Sequence, residues 1–322
     1  MKALVTGATG FVGRHLVRAL LAAGDTVTAL VRSPERARVH YPRDVRLAPG
    51  DLGNMEALRS AVPEQDVIYH VAGLIAARSE AEFLSVNRDG TARLLEAASE
   101  AGRPRIVLVS SLAAAGPTAR GTRLAGSEEA RPVSAYGRSK LAGERVVRRG
   151  ALPWTIVRPP AVYGPYDAEI LRVFRAIKYG VAPVFGDGAQ EISMIYGPDL
   201  GAALAAAGRS EAAVGRVFYA CHPEVLTTGG TVRKIAAAMH RSVRVLPLPR
   251  WLAETALAVT SSAARLTGRA TLLTRDKANE LFAPAWTCDS GPLSEATGWR
   301  AEHDLASGAA ATAAWYRDAG LL

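Results

Sequence analysis

Tyr136 and Lys140 stand four positions apart in the stretch Tyr136-Gly-Arg-Ser-Lys140. On a helix that spacing puts the phenol and the ammonium side by side on one face. A free tyrosine, with a pKa near ~10, is a poor base at neutral pH. A neighbouring cation stabilises the phenolate and lowers that pKa, which suits proton exchange with a substrate oxygen. The spacing alone recurs by accident, so its surroundings decide its meaning. Val109-Ser110-Ser111 ends an apolar run 25 positions before Tyr136.

A second chemical feature opens the chain. Thr6-Gly7-Ala8-Thr9-Gly10-Phe11-Val12-Gly13 follows the apolar run 3–5 and precedes a helical pattern in which Phe11, Leu16 and Leu20 share a face. Gly24 is placed to end that helix. A strand, a glycine-rich turn and a helix N-terminus make a site for a dinucleotide pyrophosphate. The glycines admit the backbone closely, and the unpaired N–H groups face the negative charge. Gly7, Thr9, Gly10, Phe11, Val12 and Gly13 are the candidate contacts.

What ends the second strand selects the cofactor. An acid there would bind the ribose hydroxyls of NAD, whereas an arginine accommodates the 2′-phosphate of NADP. The run Thr26–Val31 ends in Arg32-Ser33 with no carboxylate at the tip. Arg32 offers a planar fork to a phosphate, and Ser33 and Arg36 add donors. NADP is the expected cofactor, with NAD as the alternative.

These groups need a frame, and the first half of the chain supplies it. Runs 26–31, 45–47, 66–71, 105–110 and 154–157 read as continuously apolar strands, as in a parallel sheet buried on both faces. Helical segments lie between them: one with Ser33 as cap and Pro34 at its first position, then 54–62, 82–101 and 134–149. The alternation predicts an α/β fold with a doubly wound parallel sheet. After Pro160 proline and glycine thicken. Helices are expected at 168–179, 198–207, 230–240 and 250–266, with a strand at 216–220. The expected division is a dinucleotide-binding domain over 1–165, rejoined by elements near 192–222, and a smaller, mainly helical substrate lobe over 166–322.

The 322 residues are 49% hydrophobic, ample for a sizeable core. No apolar run reaches the length of a membrane span, so a soluble cytoplasmic protein without an integral membrane segment is expected. The net charge of +9 favours anionic ligands such as a phosphorylated cofactor. The arginines are scattered singly. The densest group, Arg145, Arg148 and Arg149, has no interleaved aromatics, which argues against nucleic acid. Cys221 and Cys288 have no metal spacing and read as reduced structural residues. His222 and His240 lack metal-type partners, so no metal site is expected. His70, after the apolar 67–69, reads as a buried, hydrogen-bonded histidine.

Nearly the whole chain resembles the short-chain dehydrogenase/reductase superfamily, in its extended, epimerase/dehydratase-like branch. Seven motifs carry the resemblance in the family's order: 6–13, Gly50-Asp51-Leu52, His70-Val-Ala-Gly73, Asn87-Arg-Asp-Gly90-Thr91, Ser110-Ser111, Tyr136-x-x-x-Lys140 and Arg158-Pro-Pro-Ala-Val-Tyr-Gly-Pro165. The resemblance implies that Ser111 hydrogen-bonds the reacting oxygen and that Tyr136 donates or accepts the proton. Lys140 would bind the nicotinamide ribose and depress the tyrosine pKa. It places Asp51 and Leu52 at the adenine, and Ala72, Gly73, Asn87 and Ser110 along the cofactor. Pro159, Pro160 and Val162 would lie beside the nicotinamide. It also implies a homodimer through the helices holding Asn87 and Tyr136.

The resemblance fixes nicotinamide chemistry but not the substrate, which is expected to be a small molecule. Sugar-nucleotide members carry an arginine seven positions before the aspartate of a late helix; counting back from Asp199 gives Ile192. Dehydratases follow the catalytic hydroxyl residue with Asp-Glu, whereas Leu112-Ala113 follow Ser111. The apolar segment 251–266 fits ordinary helix packing or a less polar substrate. The expected activity is an NADP(H)-dependent reductase or alcohol dehydrogenase of the 3β-hydroxysteroid or dihydroflavonol kind, acting on a hydrophobic carbonyl or alcohol. A nucleotide-sugar epimerase or dehydratase is the first alternative. A non-catalytic dinucleotide sensor is the second.

Overall fold

Alternate residues of a strand leave on opposite faces, and along the central strands of this protein both sets are apolar. The computed structural model describes residues 1–255, 257, 260 and 277–322. Its first half alternates as the sequence predicts: β1 (Lys2–Thr6), α1 (Phe11–Ala22), β2 (Thr26–Val31), α2 (Pro34–Arg38), β3 (Arg46–Pro49), α3 (Met55–Ala61) and β4 (Val67–His70). There follow α4 (Glu80–Asn87), α5 (Asp89–Glu100), β5 (Arg105–Val109), α6 (Leu112–Ala115), α7 (Ala135–Arg149) and β6 (Trp154–Arg158). The single helix expected over 82–101 is two helices that meet at Arg88, which ends α4 and caps α5.

The second half brings β7 (Ala161–Tyr163), α8 (Ile170–Lys178), β8 (Val181–Phe185), β9 (Glu191–Ile192), β10 (Met194–Tyr196), α9 (Gly197–Arg209) and β11 (Arg216–Tyr219). It continues with β12 (Leu226–Thr227), α10 (Thr228–Ala238), β13 (Arg244–Leu248), α11 (Lys277–Leu281), β14 (Ala285–Trp286), α12 (Gly291–Thr297) and α13 (Leu305–Asp318). Residues 250–255 are helical, and most of the remaining segment expected to 266 lies outside the described residues. No helix among the described residues is long and apolar enough to cross a membrane.

Seven parallel strands form the central sheet in the order β3-β2-β1-β4-β5-β6-β11. The odd set, Ala3, Val5, Val27, Ala29, Val67, Tyr69, Val107 and Val109, packs with Leu16, Val17 and Leu20 of α1 and Leu200, Ala203 and Leu204 of α9. The even set, including Leu4, Leu30, Ile68, Ile106 and Ile156, packs on the opposite face against α3, α5 and α7 through Leu58, Leu94, Ala98 and Val147. Both faces are therefore dry, which explains the continuous apolar runs. A separate core joins α8, α10 and α13 through Phe174, Val232, Ile235 and Tyr316.

Three small sheets missed in the sequence accompany that core: β7 with β10, β9 between β12 and β14, and β8 with β13. Strands of two to five residues leave too little periodicity to read. α2 also differs in detail: Ser33 precedes it, but its hydroxyl donates to Glu35 Oε2 (3.1 Å) instead of capping the helix.

Candidate active site

The turn after β1 lies where the strand order reverses, with β2 on one side and β4 on the other, the crevice in which open α/β sheets bind ligands. Gly7 has φ +69°, and a Cβ there would stand 2.6 Å from the Ala72 nitrogen. Only glycine lets this turn lie against the chain leaving β4. The Gly10 N–H donates to Gly7 O (3.0 Å). Gly10 then begins α1 with no side-chain cap bond and no acid in the first turn. The helix start thus keeps donors for an anion. Thr9 is exposed, and Phe11 and Val12 are half-buried beside it. Gly13 is close-packed, since a Cβ there would stand 2.2 Å from Gly7 O.

Below this turn a run of hydrogen bonds sets the geometry. The Ala72 N–H donates to Thr6 Oγ1 (3.2 Å), and Thr6 Oγ1 lies 2.8 Å from His70 Nδ1. On the other side, His70 Nε2 lies 2.9 Å from Thr91 Oγ1, and the Thr91 hydroxyl donates to Asn87 O (2.8 Å). Thr91 has spent its proton, so it accepts from His70 Nε2–H, and Nδ1 accepts from Thr6. Burial, with the Lys140 charge in the same direction, lowers the His70 pKa to about 3. The histidine is neutral and structural, as its sequence context predicts.

Asn87 organises the next loop. Its Oδ1 accepts from Leu74 N–H (2.8 Å), while Nδ2 donates to Leu74 O (3.1 Å) and to Ser139 Oγ (2.9 Å). A Cβ on Gly73 would stand 2.9 Å from Asn87 Oδ1 and 3.6 Å from Lys140 Nζ. Ala72, Gly73, Asn87 and Lys140 are therefore gathered at one place. This glycine-floored cradle, continuous with the open start of α1, fits an extended dinucleotide.

Ser111 and Tyr136 meet through a hydrogen bond, one helical turn before Lys140. Ser111 begins α6, and its Oγ accepts from Ala113 N–H (3.1 Å). Tyr136 lies in the first turn of α7, whose Ser134 cap accepts from Gly137 N–H (3.1 Å). Its ring lies 5.9 Å from that of Phe83. Burial pushes the Tyr136 pKa up to about 12; a hydrogen bond with Ser111 pulls it down, and the nearby Glu280 carboxylate pushes it up. The sequence expectation that Lys140 depresses this pKa is not met. Lys140 is buried and donates to Val109 O at 2.6 Å, and burial lowers its own pKa to about 8, against the raising effect of Glu144.

Other candidate residues fall differently. Ser110 is buried and donates to Glu144 Oε1 (2.5 Å). Leu52 buries its side chain in the core with Leu58 and Leu94, so that side chain is not free for an adenine. Asp51 is exposed and accepts from Gly53 N–H (2.8 Å), and α3 is capped instead by Asn54. Pro159 is buried and its carbonyl accepts from Leu112 N–H (2.9 Å). Val162 lies in β7, half-buried against the sheet core. Arg32 is exposed at the tip of β2, with Arg36 exposed on α2, and neither is committed to a side-chain partner among the described residues.

Two groups escaped the sequence reading. Glu144 receives the Arg158 guanidinium through Nε (2.8 Å) and Nη2 (2.7 Å), and both side chains are buried. An arginine inside the apolar run 154–158 was the available signal, since a buried charge demands a partner. Glu280, in α11, accepts from the Ser134 hydroxyl and pairs with Lys277. No motif marks it. Elsewhere, Asp199, Glu302 and His303 bring three metal-type ligand atoms close together. Asp199 already accepts from the backbone of Glu302 (3.2 Å) and His303 (2.9 Å), and its other oxygen lies 2.8 Å from His303 Nδ1. Those contacts anchor the loop before α13.

Comparison with known proteins fits this geometry. The profile of the NAD dependent epimerase/dehydratase family matches residues 3–221. A ceramide reductase of Caulobacter vibrioides is 39% identical over 99% of this chain and 95% of its own length. A UDP-glucose 4-epimerase of Vibrio cholerae is 26% identical over 77% of this chain and 79% of its own. In fold, the chain resembles the UDP-glucose 4-epimerase of Thermus thermophilus solved with NAD. That likeness has a TM-score of 0.78 at 24% identity and covers 99% of this chain and 100% of the other.

Proposed function

The chain belongs to the NAD dependent epimerase/dehydratase family and is an NAD(P)-dependent enzyme of the extended short-chain dehydrogenase/reductase type; on that premise we propose that it reduces a ketone on a long-chain lipid with NADPH. The observation that carries the reading is the hydrogen bond between Ser111 and Tyr136: it sets a protonated phenol beside a hydroxyl that can hold the same substrate oxygen. The similarity to a ceramide reductase over almost the full length of both chains supports a lipid ketone.

In this reading residues 1–165, with 192–222, hold the cofactor, and the rest of 166–322 recognises the substrate. Bound NADPH supplies the hydride that the carbonyl carbon receives. Ser111 holds the carbonyl oxygen by a hydrogen bond, and Tyr136 transfers its phenolic proton to that oxygen as negative charge develops. Lys140, anchored on Val109 O, holds positive charge in the cradle beside Gly73 and Asn87. Arg32 and Arg36 bind the 2′-phosphate that distinguishes NADP from NAD. The reading includes a cytoplasmic homodimer, joined through α4, α5 and α7.

The fold likeness to sugar-nucleotide epimerases sustains a second reading, in which a bound cofactor is recycled within each turnover. Against it, Ile192 sits in β9, paired with both β12 and β14, at the position where an arginine would hold a diphosphate. Incubation with NADPH and long-chain keto-amides, and separately with UDP-sugars, decides between them. Net NADPH oxidation by the lipid ketone supports the first reading. Sugar interconversion without net oxidation replaces it with the second.

A further inference from the structure

Five of the nine large apolar side chains exposed among the described residues lie along one edge of the substrate lobe: Tyr179, Val181, Leu246, Trp251 and Leu252. The strands explain the clustering. β8 and β13 pair in parallel with Val181 opposite Arg244 and Pro183 opposite Leu246. Register partners leave the sheet on the same side. Ala182 and Val184 turn inward to the lobe core, while Val181, Pro183, Arg244 and Leu246 face out. Tyr179, 81% exposed, stands at one end of this face, and Trp251, 68% exposed, follows the other.

The charge around the face is mostly positive. Residues 175–185 and 241–255 hold Arg175, Lys178, Arg241, Arg244 and Arg250 against one acid, Glu254. Glu254 is itself paired with Arg250 (2.7 Å). Apolar side chains, a tryptophan and a tyrosine at the ends, and surrounding cations match the chemistry of an anionic bilayer surface. The face is also continuous with the active site. Arg250 lies over the Phe282 ring (5.5 Å), Phe282 meets Phe185 edge-on (6.0 Å), and two residues before Phe282 stands Glu280, beside Tyr136.

We propose that the outer face of β8 and β13, with Trp251 and Leu252, docks the enzyme on anionic lipid bilayers and so brings the site to a substrate dissolved there. The role of the docking in catalysis rests on the lipid-ketone reading; the docking itself does not. The test is co-sedimentation of the full chain with phosphatidylcholine vesicles, with and without one-third phosphatidylglycerol. Wild type is expected to bind the anionic vesicles about tenfold more tightly than the neutral ones. Trp251→Ser and the double variant Val181→Ser/Leu246→Ser are each expected to lose about tenfold in that binding. The double variant keeps its NADPH oxidation with a water-soluble short-chain ketone, which shows that it is folded.

Absence of binding to either vesicle, or binding unchanged in both variants, overturns the proposal. So does a wild-type dimer, read by sedimentation velocity, that these substitutions dissociate, because the face would then belong to a second copy. Vesicle binding without turnover of any long-chain ketone supports the docking face and removes the lipid-ketone reading alone.

Discussion

Lys140 Nζ lies 2.6 Å from the carbonyl oxygen of Val109, so the helix that carries Tyr136 is tied to the end of the strand that leads into Ser111. The bond makes the lysine both a strut and a charge. Lys140→Met keeps most of the buried chain length and removes a charge that burial disfavours. It is expected to fold, with a urea midpoint near wild type, while turnover falls about 100-fold or more. Steady-state NADPH oxidation measures this; a variant within threefold of wild type would show that the ammonium is only a strut.

Arg32 and Arg36 are exposed, at the tip of β2 and on α2. A charge-assisted hydrogen bond is worth about 1.5–3 kcal/mol. Arg32→Ala is therefore expected to raise the KM for NADPH by roughly 10- to 100-fold and to leave the KM for NADH nearly unchanged. Equal changes for both cofactors would remove the 2′-phosphate contact from the account.

Gly7→Ala places a methyl 2.6 Å from the Ala72 nitrogen at a positive φ. The expected result is a loss of about 1–3 kcal/mol in stability, together with loss of dinucleotide binding. Denaturant unfolding and quenching of tryptophan fluorescence by NADPH read the two effects separately.

Glu144 and Arg158 form a buried bidentate pair, with Tyr219 accepting from Arg158 Nη1 at 3.1 Å and Ser110 donating to Glu144. Removing Arg158 leaves the buried Glu144 with only the more distant Arg148, 3.6 Å away, as a charge partner. Arg158→Met is expected to cost about 3–5 kcal/mol, and adding Glu144→Leu to recover much of that loss. Urea midpoints of the single and double variants test it; a double variant worse than the single would contradict the pairing.

Acid should destabilise the fold through two buried histidines. Burial lowers His15 to about 4, despite its contact with Pro165 O, and lowers His70 to about 3. Between pH 6.5 and about 4 the unfolded histidines bind protons that the native ones refuse, so stability falls as pH falls. Each contributes a slope of up to about 1.4 kcal/mol per pH unit. Urea midpoints should drop from pH 7 to pH 5, less steeply in His15→Gln. A flat profile would mean that both rings protonate in place.

The sheet was legible because burial on both faces leaves unbroken apolar runs such as 105–109, and because the turn at Gly7 needs its glycines. Short local motifs named Gly73, Asn87 and Lys140, which the structure gathers at one place, and Ser111 and Tyr136, which share a hydrogen bond. What escaped depends on distant pairings. Ser134 and Glu280 are 146 positions apart, and nothing at either residue announces the other. The resemblance placed Ser110 along the cofactor, but its hydroxyl is spent on Glu144, 34 positions on. The tyrosine's raised pKa was likewise unreadable, since desolvation comes from packing across the chain and not from the lysine four positions on.

Tyr136→Phe tests the central claim most directly. It removes one oxygen from a ring held beside Phe83 and leaves the cradle intact. With NADPH and a long-chain keto-amide, wild type should oxidise the cofactor in step with alcohol formation. The variant should bind NADPH as tightly as wild type and turn over at least about 1,000-fold more slowly. Turnover by the variant within tenfold of wild type would contradict the account, because the proton would then come from another group.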